Sequence, residues 1–253
     1  MKYIITESQY GKLQEVNRVR GRHFSDPLSD FFGEIKMSLI FKKSHFVEAF
    51  RKFFKKLGIS TEDFNKEEIK DYWDELEYGR DHFLGPIFYT KDSIAGFAYY
   101  IAKNYFGLKE GAGGIQYLTT KTSFKKAYYF FDPEFNILVG GLAVTKDDEI
   151  EGKAREVSIA AVDPELIGGR YGLKMYLTVI DNVDYLSSDT TLFTGSYRMW
   201  AKSLPKYVNV WVVTKDKAFS KTKKITGEES SLPKNFDVFV ASSKHDKINF
   251  SVD

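Results

Sequence analysis

Val157-Ser158-Ile159-Ala160-Ala161-Val162-Asp163-Pro164-Glu165-Leu166-Ile167-Gly168-Gly169-Arg170-Tyr171-Gly172-Leu173-Lys174-Met175-Tyr176 carries the pattern from which the rest of the chain is read. Val157, Ile159, Ala160, Ala161 and Val162 make a run apolar enough for a central strand covered on both faces. Pro164 begins a connection, and three glycines follow within five residues, at 168, 169 and 172. Leu173, Met175, Tyr176, Leu177 and Ile180 then supply the apolar side of a helix.

Strands lie on both sides of this unit. Upstream, Ala127 to Phe131 and Asn136 to Val144 flank the turn Asp132-Pro133-Glu134 and predict a hairpin. A charged turn from Lys146 to Gly152 leads into the strand Arg155 to Val162, and Ile115 to Thr120 is also β-prone. Downstream, Tyr185-Leu186-Ser187-Ser188 reads as a short strand. A helix opens at Thr194 or Gly195 and runs through Met199, Trp200 and Leu204. Val208 to Val213 and Phe236 to Ala241 close the set. The polar segment Thr214 to Asn235, with five lysines before Glu228, is expected to be an exposed insertion.

The first part of the chain has a different rhythm. After a short strand at Tyr3 to Thr6, Ser8 caps a helix carrying Tyr10, Leu13 and Val16. Ser44 caps a stronger one, with the stripe Phe46, Val47, Phe50, Phe53, Phe54 and Leu57, ended by Gly58. A third begins at Thr61 or Asn65 and carries Ile69, Trp73 and Leu76. A fourth opens at Ser93 with Ile94, Phe97, Tyr100, Ile101 and Tyr105, and ends at Gly107. These stripes are read as buried helix faces rather than a ligand box. Gly111-Ala112-Gly113-Gly114 is the expected boundary, giving a helix-rich region 1–113 and a second domain 114–253; the alternative is a tight loop inside one domain that includes both.

Composition narrows the classes. The chain has 253 residues, 43% hydrophobic and 28% charged, as soluble globular proteins do. With 22 Phe and 16 Tyr it has ample material for a core. A net charge of +2 gives no reason to expect a nucleic-acid partner. No cysteine is present, so disulfides, thiolate chemistry and a Cys-built zinc site are excluded. No apolar run reaches the roughly 20 residues a bilayer span needs, so a cytoplasmic protein without a membrane partner is expected.

The ordered set resembles the GNAT N-acyltransferase superfamily over roughly residues 127–253. Leu138-Val139-Gly140-Gly141-Leu142-Ala143-Val144 is similar to that family's third strand. Val157 to Pro164 is similar to its fourth strand and Val-x-Pro exit. Ile167 to Gly172 falls where the family has its Arg/Gln-x-x-Gly-x-Gly/Ala loop. The resemblance implies an α/β (α+β) fold: a mixed, mostly antiparallel central sheet with flanking helices, preceded by a helix-rich N-terminal region. It implies acetyl-CoA as cofactor, its pyrophosphate held by Gly168, Gly169, Arg170, Tyr171 and Gly172 and the dipole of the following helix. Its arm would lie along Ala161 and Val162, between splayed fourth and fifth strands.

Two departures stand out. Ile167 replaces the first Arg or Gln, and Arg170 replaces the middle glycine. Trp200 stands where the family often has a Tyr that protonates the leaving thiolate, and an indole N–H is no practical general acid. Candidate catalytic groups are therefore Ser188 and Asp189, which could instead only cap a helix, and Tyr197. The acidic set Asp71, Asp74, Glu75 and Glu77 is read as a solvated face. The four histidines, His23, His45, His82 and His245, are too dispersed for a metal site, and none is expected. Two functions fit: acyl transfer from acyl-CoA to an unidentified amine or protein acceptor, or an inactive GNAT-fold binding or structural module. Divergent phage-encoded proteins of this type show a similar helix start at Arg170 to Tyr176. In the second case the N-terminal half would meet a protein partner.

Overall fold

The computed structural model describes residues 27–58, 60–61, 66–75, 91–121, 125–163, 166, 168–189, 192, 194–216, 219–229, 232, 236–248 and 250. The expected first strand and first helix, Ile167 of the loop, Glu77, His23 and His82 lie outside these residues, as do the side chains of Asp74 and Glu75.

Among the described residues four helices come first: α1 (Pro27–Met37), α2 (Lys43–Lys56), α3 (Lys66–Glu75) and α4 (Lys91–Ile101), the last continued by a π turn, Ala102–Phe106. Helix α2 starts one residue before Ser44, with Lys42 at the cap. Phe46, Val47, Phe50 and Phe54 of its stripe are buried, but Leu57 is exposed, because the helix ends before it. Gly58 and Gly107 both stop their helices with φ of 73°, a conformation open to glycine.

The strands β1 (Lys109–Glu110), β2 (Gln116–Lys121), β3 (Lys125–Asp132), β4 (Ile137–Lys146), β5 (Ala154–Val162), β6 (Tyr185–Ser187), β7 (Asn209–Asp216), β8 (Phe219–Ile225) and β9 (Val238–Ser242) form one sheet in the order β1-β2-β3-β4-β5-β6-β9-β7-β8. Every neighbouring pair is antiparallel except β5 with β6. Helix α5 (Tyr171–Asp181) connects those two strands. Helix α6 (Thr194–Arg198), extended by helical turns to Lys206, connects β6 to β7. This is the mixed, mostly antiparallel sheet with flanking helices that the sequence led us to expect. The lysine-rich segment is corrected: instead of an insertion loop it contains β8, paired with β7 over seven positions. Lys221, Lys223 and Lys224 are exposed on this edge strand, where charge blocks pairing with another sheet.

Alternation along the strands divides the core. Tyr128 and Phe130 of β3 pack with α5, Trp200, Val212 and Phe239, whereas Tyr129 and Phe131 pack with α1, α2 and α4. Val238 and Val240 face away from Phe239, into a smaller cluster with Ile150, Tyr185 and Val213. The N-terminal aromatic stripes thus cover one sheet face. Phe31 meets Tyr129 and Phe131 edge-on at 5.4 and 5.6 Å, a favoured aromatic geometry.

The first glycine of the β4 pair has a packing cause. A Cβ on Gly140 would lie 2.6 Å from the Ala161 carbonyl oxygen and 2.8 Å from Met175 Sδ. Gly140 therefore lets α5 close onto the sheet opposite the end of β5. Gly33 in α1, by contrast, has nothing within 4 Å of such a carbon. Gly140→Ala should destabilise the protein by about 1–3 kcal/mol, while Gly33→Ala should be neutral or stabilising by up to ~1 kcal/mol. Urea unfolding of both variants checks the contrast.

Candidate active site

The only parallel pairing among the described residues is short. It runs Ala154↔Tyr185, Arg155↔Leu186, Glu156↔Ser187, and stops there. At its lower end, Asp184 N–H donates to the Lys153 carbonyl at 3.0 Å, and Lys153 N–H donates to Asp184 Oδ2 at 2.8 Å. That second bond holds the Asp184 carboxyl below its usual range. At the upper end the strands part. Ser188 N–H donates to the Phe239 carbonyl at 2.8 Å, and Phe239 N–H donates to Ser188 Oγ at 3.0 Å. The chain thereby stays with β9. Meanwhile β5 follows β4, with a register shift between Ala143 and Val144 that leaves Ser158 as the extra residue. Ser158 Oγ donates to the Ala143 carbonyl at 3.2 Å.

Val157 to Val162 thus run on paired with β4 and not with β6. The expected doubly covered strand is corrected here: Ser158, Ile159, Ala161 and Val162 are half-buried and Ala160 is exposed.

The glycine loop follows directly. Gly168 has φ of 107°, and Arg170, capping α5, has φ of 60°. Where the resemblance has glycine, this chain keeps the left-handed backbone with an arginine. Arg170 is exposed and makes no side-chain cap. The first turn of α5 has no intrahelical partners for the N–H groups of Tyr171, Gly172 and Leu173; the first such bond is Lys174 N–H to Arg170 O, 3.1 Å. Gly172 faces Val162 and Met199, with 3.8 and 3.3 Å to an added Cβ. Tyr171 anchors the loop: its hydroxyl donates to Asp132 Oδ2 at 2.7 Å, while Asp132 Oδ1 accepts from Glu134 and Phe135 N–H. Burial, then the Asp132 carboxylate, push the Tyr171 hydroxyl up to about 12.

Below the parting point, on the sheet face away from α5, lies a cavity of about 270 Å³. Val213, Val238 and Val240 give it apolar surface, and Ser187, the last residue of β6, and Ser188 after it also line it. Asp147, Asp148, Glu149 and Glu156 supply four carboxylates; Lys146, ion-paired with Asp148, is also present. Ser187 Oγ donates to Asp147 Oδ2 at 2.6 Å. Glu156 belongs to the last β5–β6 pair, where cavity and cleft meet. The sequence reading passed over Glu156 and treated Asp147 to Glu149 as part of a charged turn. Their signal was the density of acids in that turn beside an apolar strand.

The three candidate catalytic residues differ in exposure. Ser188 is fully buried, accepting from Phe239 and donating to the Asp189 carbonyl at 3.0 Å. Asp189 follows it, half-buried. Tyr197 is 38% exposed, its ring edge-on to Phe239 at 5.8 Å. Ala161 and Val162 lie on the cleft strand, and Gly168, Gly169, Arg170, Tyr171 and Gly172 at the helix start. Trp200 is fully buried, stacked on Phe239 and edge-on to Tyr176. Its Nε1 has no hydrogen-bond partner among the described residues. Burial pushes the Tyr176 hydroxyl up to about 12, against the opposing effect of the nearby indole N–H. No group of three or more metal-ligating acids or histidines occurs among the described residues. His45 stacks on Tyr105, and His245 on Tyr185.

No protein-family model matches the chain, and no curated protein sequence matches it. Among solved structures, one similar protein is assigned to the GNAT acetyltransferase family and comes from Bacteroides thetaiotaomicron. The identity is 13%, the match covers 53% of this chain and 65% of that one, and the TM-score is 0.29. The present chain thus spans a little under two thirds of that protein. A GNAT-family acetyltransferase from Staphylococcus aureus Mu50 is 15% identical over 79% of this chain and 91% of its own, with a TM-score of 0.28. Overlaps this loose carry no weight for the role of any residue.

Tyr171→Phe removes the tie between the loop and the β3–β4 turn and should cost about 1.5–3 kcal/mol, the scale of a hydrogen bond to a charged group. The neutral Tyr171 hydroxyl stabilises the fold fully below the ordinary tyrosine value near pH ~10. That contribution is lost as pH rises through about 12. Chemical denaturation across this range should show a shallower alkaline decline in the variant.

Proposed function

We propose that this chain is a GNAT-like N-acyltransferase, moving an acyl group, most simply acetyl, from acyl-CoA to an amine. The observation that carries this reading is the parting of β5 from β6 near a helix start whose N-cap residue, Arg170, makes no side-chain bond to it, with an acidic cavity at the point of parting.

Each part has a chemical use. The N–H groups of Tyr171, Gly172 and Leu173, with the helix dipole and Arg170, suit a pyrophosphate. The free edge of β5 offers main-chain groups to a pantetheine arm. From Val162 to Glu156 is six residues, about 20 Å of strand, so an arm anchored at the loop would bring its thioester toward the bulge at Ser158. An amine entering the carboxylate-lined cavity would be drawn there as a cation. The cation would first lose one proton to solvent, and Glu156 would accept a second as the neutral amine nitrogen attacks the thioester carbon. The new C–N bond forms as C–S breaks, and the departing sulfur takes up a proton. Trp200 cannot supply that proton, so in this reading it comes from solvent through the open cleft. A GNAT-fold module without catalysis is the second reading, favoured by the burial of Trp200 where the resemblance has a phenol.

Calorimetric titration with acetyl-CoA tests the first half. Micromolar binding is expected, lost in Gly172→Trp and weakened at least tenfold in Arg170→Glu, a change at an exposed side chain that leaves the core intact. No heat at millimolar acetyl-CoA would remove the enzyme reading. Glu156→Gln should bind acetyl-CoA as the parent does but release thiol with primary amines roughly 10²–10⁴-fold more slowly. Binding without turnover in the parent protein would favour the second reading.

A further inference from the structure

The connection between α1 and α2 shows an apolar surface that the proposed chemistry does not use. Met37 is 80% exposed, Leu39 94% and Ile40 64%. These values do not reflect a slack loop. Ile35 before the tip and Phe41 after it are both buried, Phe41 against Trp73, Tyr105 and Phe106. Ser38 N–H donates to the Ile35 carbonyl at 3.1 Å, and Ile40 N–H donates to Ser38 Oγ at 3.1 Å. The backbone is held in a tight turn, and the turn points three large apolar side chains outward.

The charges nearest the tip are basic, with Glu34 of α1 the nearest acid before it. Lys36, Lys42 and Lys43 flank it, and residues 36–43 contain no acid. Lys36 lies over the Trp73 ring at 5.8 Å, and Lys42 is exposed. Farther along α2, Arg51, Lys52, Lys55 and Lys56 are exposed, with Glu48 as the one acid of that helix, paired to Lys52.

We propose that this tip docks the protein peripherally on an anionic lipid surface, Met37, Leu39 and Ile40 entering the headgroup–acyl boundary and the flanking lysines meeting lipid phosphates and carboxylates. Three side chains are too few for a stable dimer, which needs about 800 Å² from each partner. They are enough for an interfacial wedge reaching about 5–10 Å into a bilayer. Weak apolar insertion and weak basic attraction reinforce each other, as paired membrane signals do. No helix among the described residues is long and apolar enough to cross a membrane, so the contact is with one leaflet only. This contact departs from the expectation of no membrane partner, which rested on the lack of a spanning segment.

The test is co-sedimentation of the full chain with vesicles of phosphatidylcholine alone or mixed with phosphatidylserine. Binding is expected to the mixed vesicles and to fall with salt. Leu39→Ser with Ile40→Ser should abolish it without changing the melting temperature, since neither side chain is packed. Lys42→Glu with Lys43→Glu should weaken it by about fivefold or more for each lysine. No sedimentation with either vesicle overturns the proposal. So does binding that the tip variants leave unchanged. Self-association of the parent that Leu39→Ser with Ile40→Ser removes, without vesicle binding, would assign the tip to a second copy and overturn it as well.

Discussion

Two hydrogen bonds between Ser188 and Phe239 determine where the sheet opens. The Ser188 N–H and hydroxyl together give Phe239 the donor and acceptor that a neighbouring strand would supply, so β6 stays with β9 after its last pairing with β5. The bulge at Ser158 turns β5 the other way. Between these local events the parallel pair must separate, and the edge of β5 is left to something other than a strand. Buried backbone groups seldom stay unpaired, so an edge open to a cleft suits a ligand with amide and carbonyl groups of its own.

The opening is useful because the helix above it is set precisely enough to face it. Gly140 lets Met175 approach the sheet, and Gly111 leaves room for Thr178, whose hydroxyl oxygen accepts from Ala112 N–H at 2.9 Å. With the Tyr171–Asp132 bond, α5 is fixed at both ends and its middle. A helix start that is not capped by its own side chains but is held rigidly keeps its N–H groups in one direction. That is the condition for recognising an anion without first ordering a loop.

The electrostatics differ on the two sides of the parting point. The loop side offers N–H groups and Arg170, and the cavity side offers carboxylates on a partly apolar floor. An anionic donor and a cationic acceptor would each find its own entrance, and like charges would not compete for one site.

How much of this was legible in the sequence follows from the range of the interactions. Strand alternation and helix periodicity are local, so β2 to β6, α2, α4 and α5 could be read from spacing, and the glycine run marked the loop. β8 was missed because its lysines look like a solvated loop; only an edge position makes such a strand stable. The exposure of Ala160 could not be read either, since an apolar strand looks the same whether or not its neighbour leaves it. Glu156 and the acids of the β4–β5 turn became one cavity only when β5, β6, β7 and β9 were placed side by side. The sequence alone determined the order of the strands and helices it showed and the glycine loop, through short-range sterics and hydrophobic periodicity, but not α1, β1 or β8. Tertiary structure decided which strand edge stays open, which carboxylates converge and that Trp200 is core, because those depend on contacts between residues tens of positions apart.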